Sequence, residues 1–192
     1  MSSKIPTRSK RLLSRERSSL LIIDVQERLL PSIDGGDRVV WNIGRLIDTA
    51  KLFAVPINAT EQYPKGLGHT VSSLRERLPD VPEKAMFSCR ECTQVFSPLL
   101  ESDKQQMVVT GIETHVCVLQ TVMDLIAQGF DVFVVVDAVG SRFSIDRETA
   151  LGRMQQAGAT LISTESVMFE WCESSADPQF KAMSQLARQT GS

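Results

Sequence analysis

Ser19-Leu-Leu-Ile-Ile-Asp24 decides the class of fold. Four aliphatic residues in a row close on an acid. A strand with one wet face alternates apolar and polar residues; an unbroken apolar run reads as a strand buried on both faces, as in a parallel sheet covered by helices. Working outward, four further stretches read as strands: Val55 to Ala59, Gln105 to Thr110, Asp131 to Asp137 (the most β-branched) and Ala159 to Ser163. Helix-length stretches separate them. Between 38 and 53 the apolar residues Val39, Val40, Ile43, Leu46, Ile47 and Ala50 fall at helical spacing. Thr114 reads as the N-cap of a helix whose apolar face is Val118, Thr121, Val122, Leu125 and Ile126, closed by Gly129. Further helical stretches are expected over 71–78, 146–157, 165–172 and 178–188, with a loop from Tyr63 to His69 and a polar segment from Pro79 to Cys92. Strand–helix alternation of this kind predicts an α/β fold, doubly wound, with helices on both faces of the sheet.

The chain has 192 residues, within the range of one domain. Hydrophobic residues are 42%, charged residues 23% and the net charge is -2, which excludes a disordered chain, a collagen and a coiled-coil rod. The longest aliphatic and aromatic run, Val132 to Val136, is far short of the about 20 residues of a membrane helix. Residues 1–17 carry Lys4, Arg8, Lys10, Arg11, Arg15 and Arg17 against Glu16 alone. This basic start is read as a solvated lead-in to a single domain over 18–192, with organellar targeting as the alternative. The rest of the chain is acidic and lacks aromatic–basic clusters, so neither nucleic acid nor membrane is an expected partner. Four cysteines are too few for a disulfide framework and suit a reducing, cytoplasmic setting.

In doubly wound sheets, ligands bind outside the carboxyl ends of the strands. That rule singles out Asp24, the segment Glu61 to Tyr63, and the segment Gly111 to Cys117. Cys117 lies in the first turn of a helix, where the dipole favours a thiolate; a buried cysteine that only packs is the competing reading. Asp24 is either a general base beside that thiol or a strand-end acid that caps a neighbour. Lys84 is not distinctive by itself. Cys89 and Cys92 form a C-x-x-C without a second pair, and the chain has only His69 and His115, so a structural zinc is not expected. The two thiols are read as unrelated, with a redox pair as the alternative. Asp137 and Arg142 are read as closing the sheet, and Cys172 beside Trp171 as packing. Trp171 and the C-terminal helices are the candidates for a subunit interface.

Leu21-Ile-Ile-Asp-Val-Gln26, Thr60-Glu-Gln-Tyr-Pro-Lys-Gly-Leu-Gly68, Lys84 and Val109-Thr-Gly-Ile-Glu-Thr-His-Val-Cys-Val118 together resemble the isochorismatase-like cysteine hydrolases, most of all the isochorismatase-domain-containing group. The resemblance covers about residues 10–180. It implies a three-layer α/β/α sandwich around a six-stranded, mostly parallel, Rossmann-like sheet. It implies a catalytic triad of Asp24, Lys84 and Cys117, an oxyanion hole from the backbone N–H groups of Glu113 and Cys117, and a cis peptide just before Glu113. Gln26, Glu61, Gln62, Tyr63, Phe87 and Thr114 are the candidate pocket residues. Metal-dependent nicotinamidases of the family carry an Asp and two His after the second strand. Here Glu61 and Tyr63 stand at the first two positions and His69 approximates the third; tyrosine is a poor divalent-metal ligand beside imidazole, so neither metal nor other cofactor is expected. True isochorismatases lack the cysteine. The expected activity is therefore hydrolysis of a C–N bond in a small amide or related acyl compound through a thioester, by a homo-oligomer. The alternative is a catalytically silent binding or scaffold protein that keeps the fold.

Overall fold

A computed structural model describes residues 7–191. Six strands form one sheet: β1 (Ser18–Ile23), β2 (Ile57–Gln62), β3 (Glu83–Lys84), β4 (Gln106–Ile112), β5 (Asp131–Gly140) and β6 (Thr160–Ile162). Their order is β3-β2-β1-β4-β5-β6, and every strand pair is parallel. Chain winding therefore reverses between β1 and β4, and the carboxyl ends of these two strands flank the crevice where such sheets bind ligands. Asp24 follows β1 and Cys117 follows β4 by five residues.

The unbroken run in β1 is buried throughout, and its side chains divide by parity. Leu20 and Ile22 enter one apolar core, formed with α1 (Gly36–Leu52), α7 (Thr164–Cys172) and α8 (Phe180–Ala187). Leu21 and Ile23 enter the other, under α4 (Thr93–Leu100), α5 (Leu119–Ala127) and α6 (Ser144–Gln156). The expected face of α1 is buried at Val39, Ile43, Leu46, Ile47 and Ala50. Two short helices, α2 (Pro64–Leu67) and α3 (Ser72–Arg75), lie between β2 and β3. Gly111 is required where it stands. At φ 135° in the strand next to β1, a Cβ there would collide with the backbone of Ile23, and the β4–β5 register shifts at this point.

Several expectations are corrected. The loop from Tyr63 to His69 contains α2, and the polar segment contains β3, the sixth strand, an edge of two residues with no apolar pattern. Helix α4, with Pro98 inside it, lies between the polar segment and the third expected strand, where no element is expected, although its buried Val95, Phe96 and Leu99 fall at helical spacing. Thr114 is not an N-cap: its hydroxyl has no hydrogen-bond partner among the described residues, and Glu113 holds the cap position. No peptide bond among the described residues is cis; the chain turns out of β4 through Glu113 at φ 58°, ψ 60°. Trp171 is buried in the protomer's own core, which removes it as an interface residue.

The basic lead-in is only partly solvated over its described part: Lys10, Arg11 and Glu16 are exposed, while other residues are tied to the fold, and Lys4 lies outside the described residues. Leu13 is fully buried. Its N–H donates to Glu170 at 2.7 Å, Arg8 donates to the carbonyl of Glu170 at 3.0 Å, and Arg15 pairs with Asp177 at 2.7 Å. One apolar residue with remote partners anchors an irregular, turn-rich stretch whose composition alone reads as a tail.

Candidate active site

Three sharp exits carry the site. Asp24 (φ 54°), Tyr63 (φ 39°) and Glu113 (φ 58°) each follow a strand in the left-handed region, in which non-glycine residues are uncommon. Strain of this kind gathers at functional sites. After Glu113 the chain makes one π-helical turn, Thr114–Val118, before α5 begins; such wide turns also recur at functional sites.

Asp24, Lys84 and Cys117 converge. Asp24 is fully buried, and both its oxygens are held: Lys84 Nζ donates to Oδ2 at 2.6 Å, and Thr60 Oγ1 donates to Oδ1 at 2.9 Å. The Cys117 thiol lies close enough to this carboxylate to feel its charge, and Cys117 is 4% exposed. Lys84 is buried too. Its ammonium is further surrounded by Gln62 Oε1 at 2.7 Å, the Phe87 carbonyl at 2.9 Å and the Met86 carbonyl at 3.2 Å. A buried charge without partners would cost several kcal/mol, so this cage is what allows a lysine to be sealed in at the end of β3. Burial opposes the Lys84 charge, but the Asp24 carboxylate outweighs it and holds the ammonium above the ordinary lysine range.

The Cys117 thiol departs from the expectation drawn from its place in a helix's first turn. Burial and the adjacent Asp24 charge push its pKa well above the ordinary thiol range, against the pull of Lys84. At neutral pH the thiol is therefore neutral and the lysine an ammonium, and the Asp24 side chain is the acceptor nearest the thiol proton.

The pocket candidates divide. Gln62 and Phe87 contact Lys84 directly, and Phe87 is about half exposed. Gln26 is spent within the fold: its side chain accepts from Gln62 N at 2.7 Å and donates to the carbonyls of Gln62 and Gly68. Thr114 is fully buried, and Tyr63 is 60% exposed. Glu61 belongs to a separate cluster. Its Oε1 accepts from Thr70 N at 2.6 Å and Thr70 Oγ1 at 2.8 Å, and its Oε2 meets His69 Nδ1 at 3.0 Å. Burial acts against the Glu61 charge, but these bonds prevail and its pKa is lowered. With both oxygens engaged and Tyr63 exposed, these residues do not fit a divalent-metal centre, and no group of three His, Cys, Asp or Glu suited to one gathers among the described residues.

Sequence reasoning missed Thr60 and Cys89. The Cys89 sulfur lies 3.3 Å from Thr60 Oγ1, and its backbone N–H donates to Thr121 Oγ1, which donates to the Cys117 carbonyl at 2.7 Å. Burial, aided by Asp24, pushes the Cys89 thiol up to about 12. Cys92 turns instead toward the Glu83 carbonyl, and burial pushes it up to about 11. All four cysteines are free. On the far side of the turn, Glu113 pairs with Arg142 at 2.9 Å, and His115 Nδ1 meets Ser141 Oγ at 3.1 Å. Asp137 caps α7 through Thr164, as expected of a residue that closes the sheet. A cleft of about 550 Å³ opens beside the site, with Phe87, Arg90, His115, Gln120 and Arg153 in its walls.

A doubly wound parallel sheet with these residues at its switch point is an isochorismatase-type α/β protein, and comparison bears out that class. The chain belongs to the isochorismatase family: the model of the isochorismatase domain matches residues 18–166. It is 38% identical to mouse isochorismatase domain-containing protein 2A over 91% of this chain and 84% of that protein. Its structure resembles one titled MAR1 ribonuclease from Caenorhabditis elegans, at 39% identity and a TM-score of 0.85, covering 94% of this chain and 96% of that one. It also resembles the YcaC gene product of Escherichia coli, described as an octameric hydrolase of unknown specificity, at 29% identity and a TM-score of 0.83, covering 94% and 91% of the two chains.

Proposed function

We propose that this protein is a cysteine-dependent hydrolase of a small amide or related acyl compound, with Cys117 as nucleophile. The observation that carries the reading is a buried thiol set beside a buried carboxylate that is itself paired with lysine at 2.6 Å. Asp24 takes the thiol proton as Cys117 Sγ attacks the carbonyl carbon. The oxyanion forms against the backbone N–H groups of Glu113 and Cys117; one such donor is typically worth about 10²–10³ in rate. The intermediate collapses, the C–N bond breaks, and the amine leaves with the proton held by Asp24. Water then attacks the thioester, Asp24 accepts its proton, and the carboxylic acid leaves as the thiol is restored. Lys84 offsets the negative charge shared by Asp24 and Cys117 throughout. The cleft beside Phe87 and His115 is the proposed substrate approach.

The working form we propose is a cytoplasmic homo-oligomer. Free thiols support the compartment; the octamer described for the E. coli relative and the exposed Phe143 and Ile145 support the assembly. No helix among the described residues is long and apolar enough to cross a membrane. A panel of small amides, N-carbamoyl compounds and acyl esters, assayed with the wild type and with Cys117→Ser, tests the activity. Turnover lost in Cys117→Ser is expected. No turnover and no adduct across the panel would favour the silent scaffold, and cleavage of single-stranded RNA without an acyl adduct would favour the activity named for the C. elegans relative.

A further inference from the structure

Thr60 and Cys89 form a hydrogen-bonded chain that ends on Asp24, and its direction can be read. The Asp24 carboxylate can only accept, so Thr60 spends its single hydroxyl proton on Oδ1, at 2.9 Å. At 3.3 Å from the same hydroxyl, the Cys89 thiol must then be the donor to Thr60 Oγ1. The chain runs from Cys89 S–H through Thr60 O–H to Asp24. Cys89 is itself fixed to the nucleophile's backbone: its N–H meets Thr121 Oγ1, and that hydroxyl donates to the Cys117 carbonyl. Thr60, Asp24 and Cys89 are buried, so no competing solvent donor reaches the chain. Asp24 Oδ2 is held by Lys84, and among the described residues the hydrogen bond to Oδ1 comes from this chain.

We propose that Thr60, backed by Cys89, is the positioning residue that holds the Asp24 carboxyl oriented toward Cys117. The proposal rests on Asp24 acting as the base for that thiol. It gives Cys89 a role as donor in place of the bystander or redox role open to a C-x-x-C. The ionisable groups facing Asp24 are Lys84 from β3, Cys117 from the turn after β4, and Cys89 through Thr60.

The test is the pH dependence of acrylamide alkylation at Cys117 in the full chain, followed by peptide mass spectrometry. A reaction that needs a general base loses rate on the acid side. Thr60→Val removes a donor to the charged carboxylate and moves that acid limb up by about one pH unit. Cys89→Ala leaves Thr60 a weaker donor and moves it the same way by less. Thr60→Ser restores the hydroxyl and the wild-type limb. A role in packing alone would lower stability without moving the limb. An acid limb unchanged in both Thr60→Val and Cys89→Ala overturns the proposal; if Thr60→Val does not fold, Cys89→Ala decides. Asp24→Asn separates the two claims: if it leaves the limb intact, the base assignment fails, and if it removes the limb while the Thr60 and Cys89 variants overlay the wild type, only the positioning role fails.

Discussion

Asp24 and Glu61 sit at the carboxyl ends of neighbouring strands, and each is a buried carboxylate with a cationic or cation-capable partner. Their surroundings differ. Glu61 is filled by a backbone N–H, a hydroxyl and an exposed imidazole, all within residues 69–70. It ties the loop after α2 to the sheet. Asp24 faces a buried ammonium, a hydroxyl and a thiol drawn from three other parts of the chain. Burial alone therefore does not mark a catalytic acid. The discriminating feature is a neighbouring group whose proton is worth moving.

That comparison can be broken from either side. The largest effect is expected at Lys84. Lys84→Met leaves Asp24 buried without its counter-charge, which costs about 3–5 kcal/mol by urea denaturation and removes Cys117 reactivity. Wild-type stability in that variant would show that the ion pair contributes nothing net. Next is Glu61→Ala, which strands the buried Thr70 N–H and costs about 2 kcal/mol while the Cys117 alkylation rate stays at its wild-type value. A rate loss as large as that of Asp24→Asn would erase the distinction between the two carboxylates.

A smaller effect has a pH signature. The Glu61 pKa is lowered in the fold, so its contribution is full above the ordinary value of 4.5 and is lost as pH falls through the lower folded value. Denaturation series below pH 4.5 are expected to show a decline that Glu61→Gln flattens. Cys89 has the opposite sign. Its thiol is pushed up from 9.0 to about 12, so it stays neutral in the fold while the unfolded chain ionises. Stability declines as pH rises above about 9, and Cys89→Ala makes that decline shallower. An unchanged slope would contradict the burial of this thiol.

The sheet's centre was legible because double-sided burial leaves unbroken aliphatic runs, as in β1, and α1 because its apolar stripe is long. β3 was not, because a two-residue edge strand has no period to detect; its lysine stood out only through family resemblance. Helix α4 is short, so the helical spacing of Val95, Phe96 and Leu99 spans little more than one turn. At the site, strand ends pointed to Asp24 and Cys117, but the state of the thiol depended on burial and on a carboxylate 93 positions away in sequence (Asp24 to Cys117). Thr60 and Cys89 carried no local signal: a threonine in a strand and a cysteine in a polar segment acquire meaning only when their side chains meet. The lead-in misled for the same reason, since Leu13, Arg8 and Arg15 find partners in α7 and at Asp177.

The central claim is that Asp24 turns Cys117 into the nucleophile. It is tested most directly by acid-quenching the protein during reaction with an activated acyl ester and mapping the acyl group by peptide mass spectrometry. The acyl group is expected on Cys117 in the wild type and lost in Asp24→Asn, with Cys89, Cys92 and Cys172 unmodified in both. Acylation spread over all four cysteines, or an undiminished Cys117 adduct in Asp24→Asn, would contradict it.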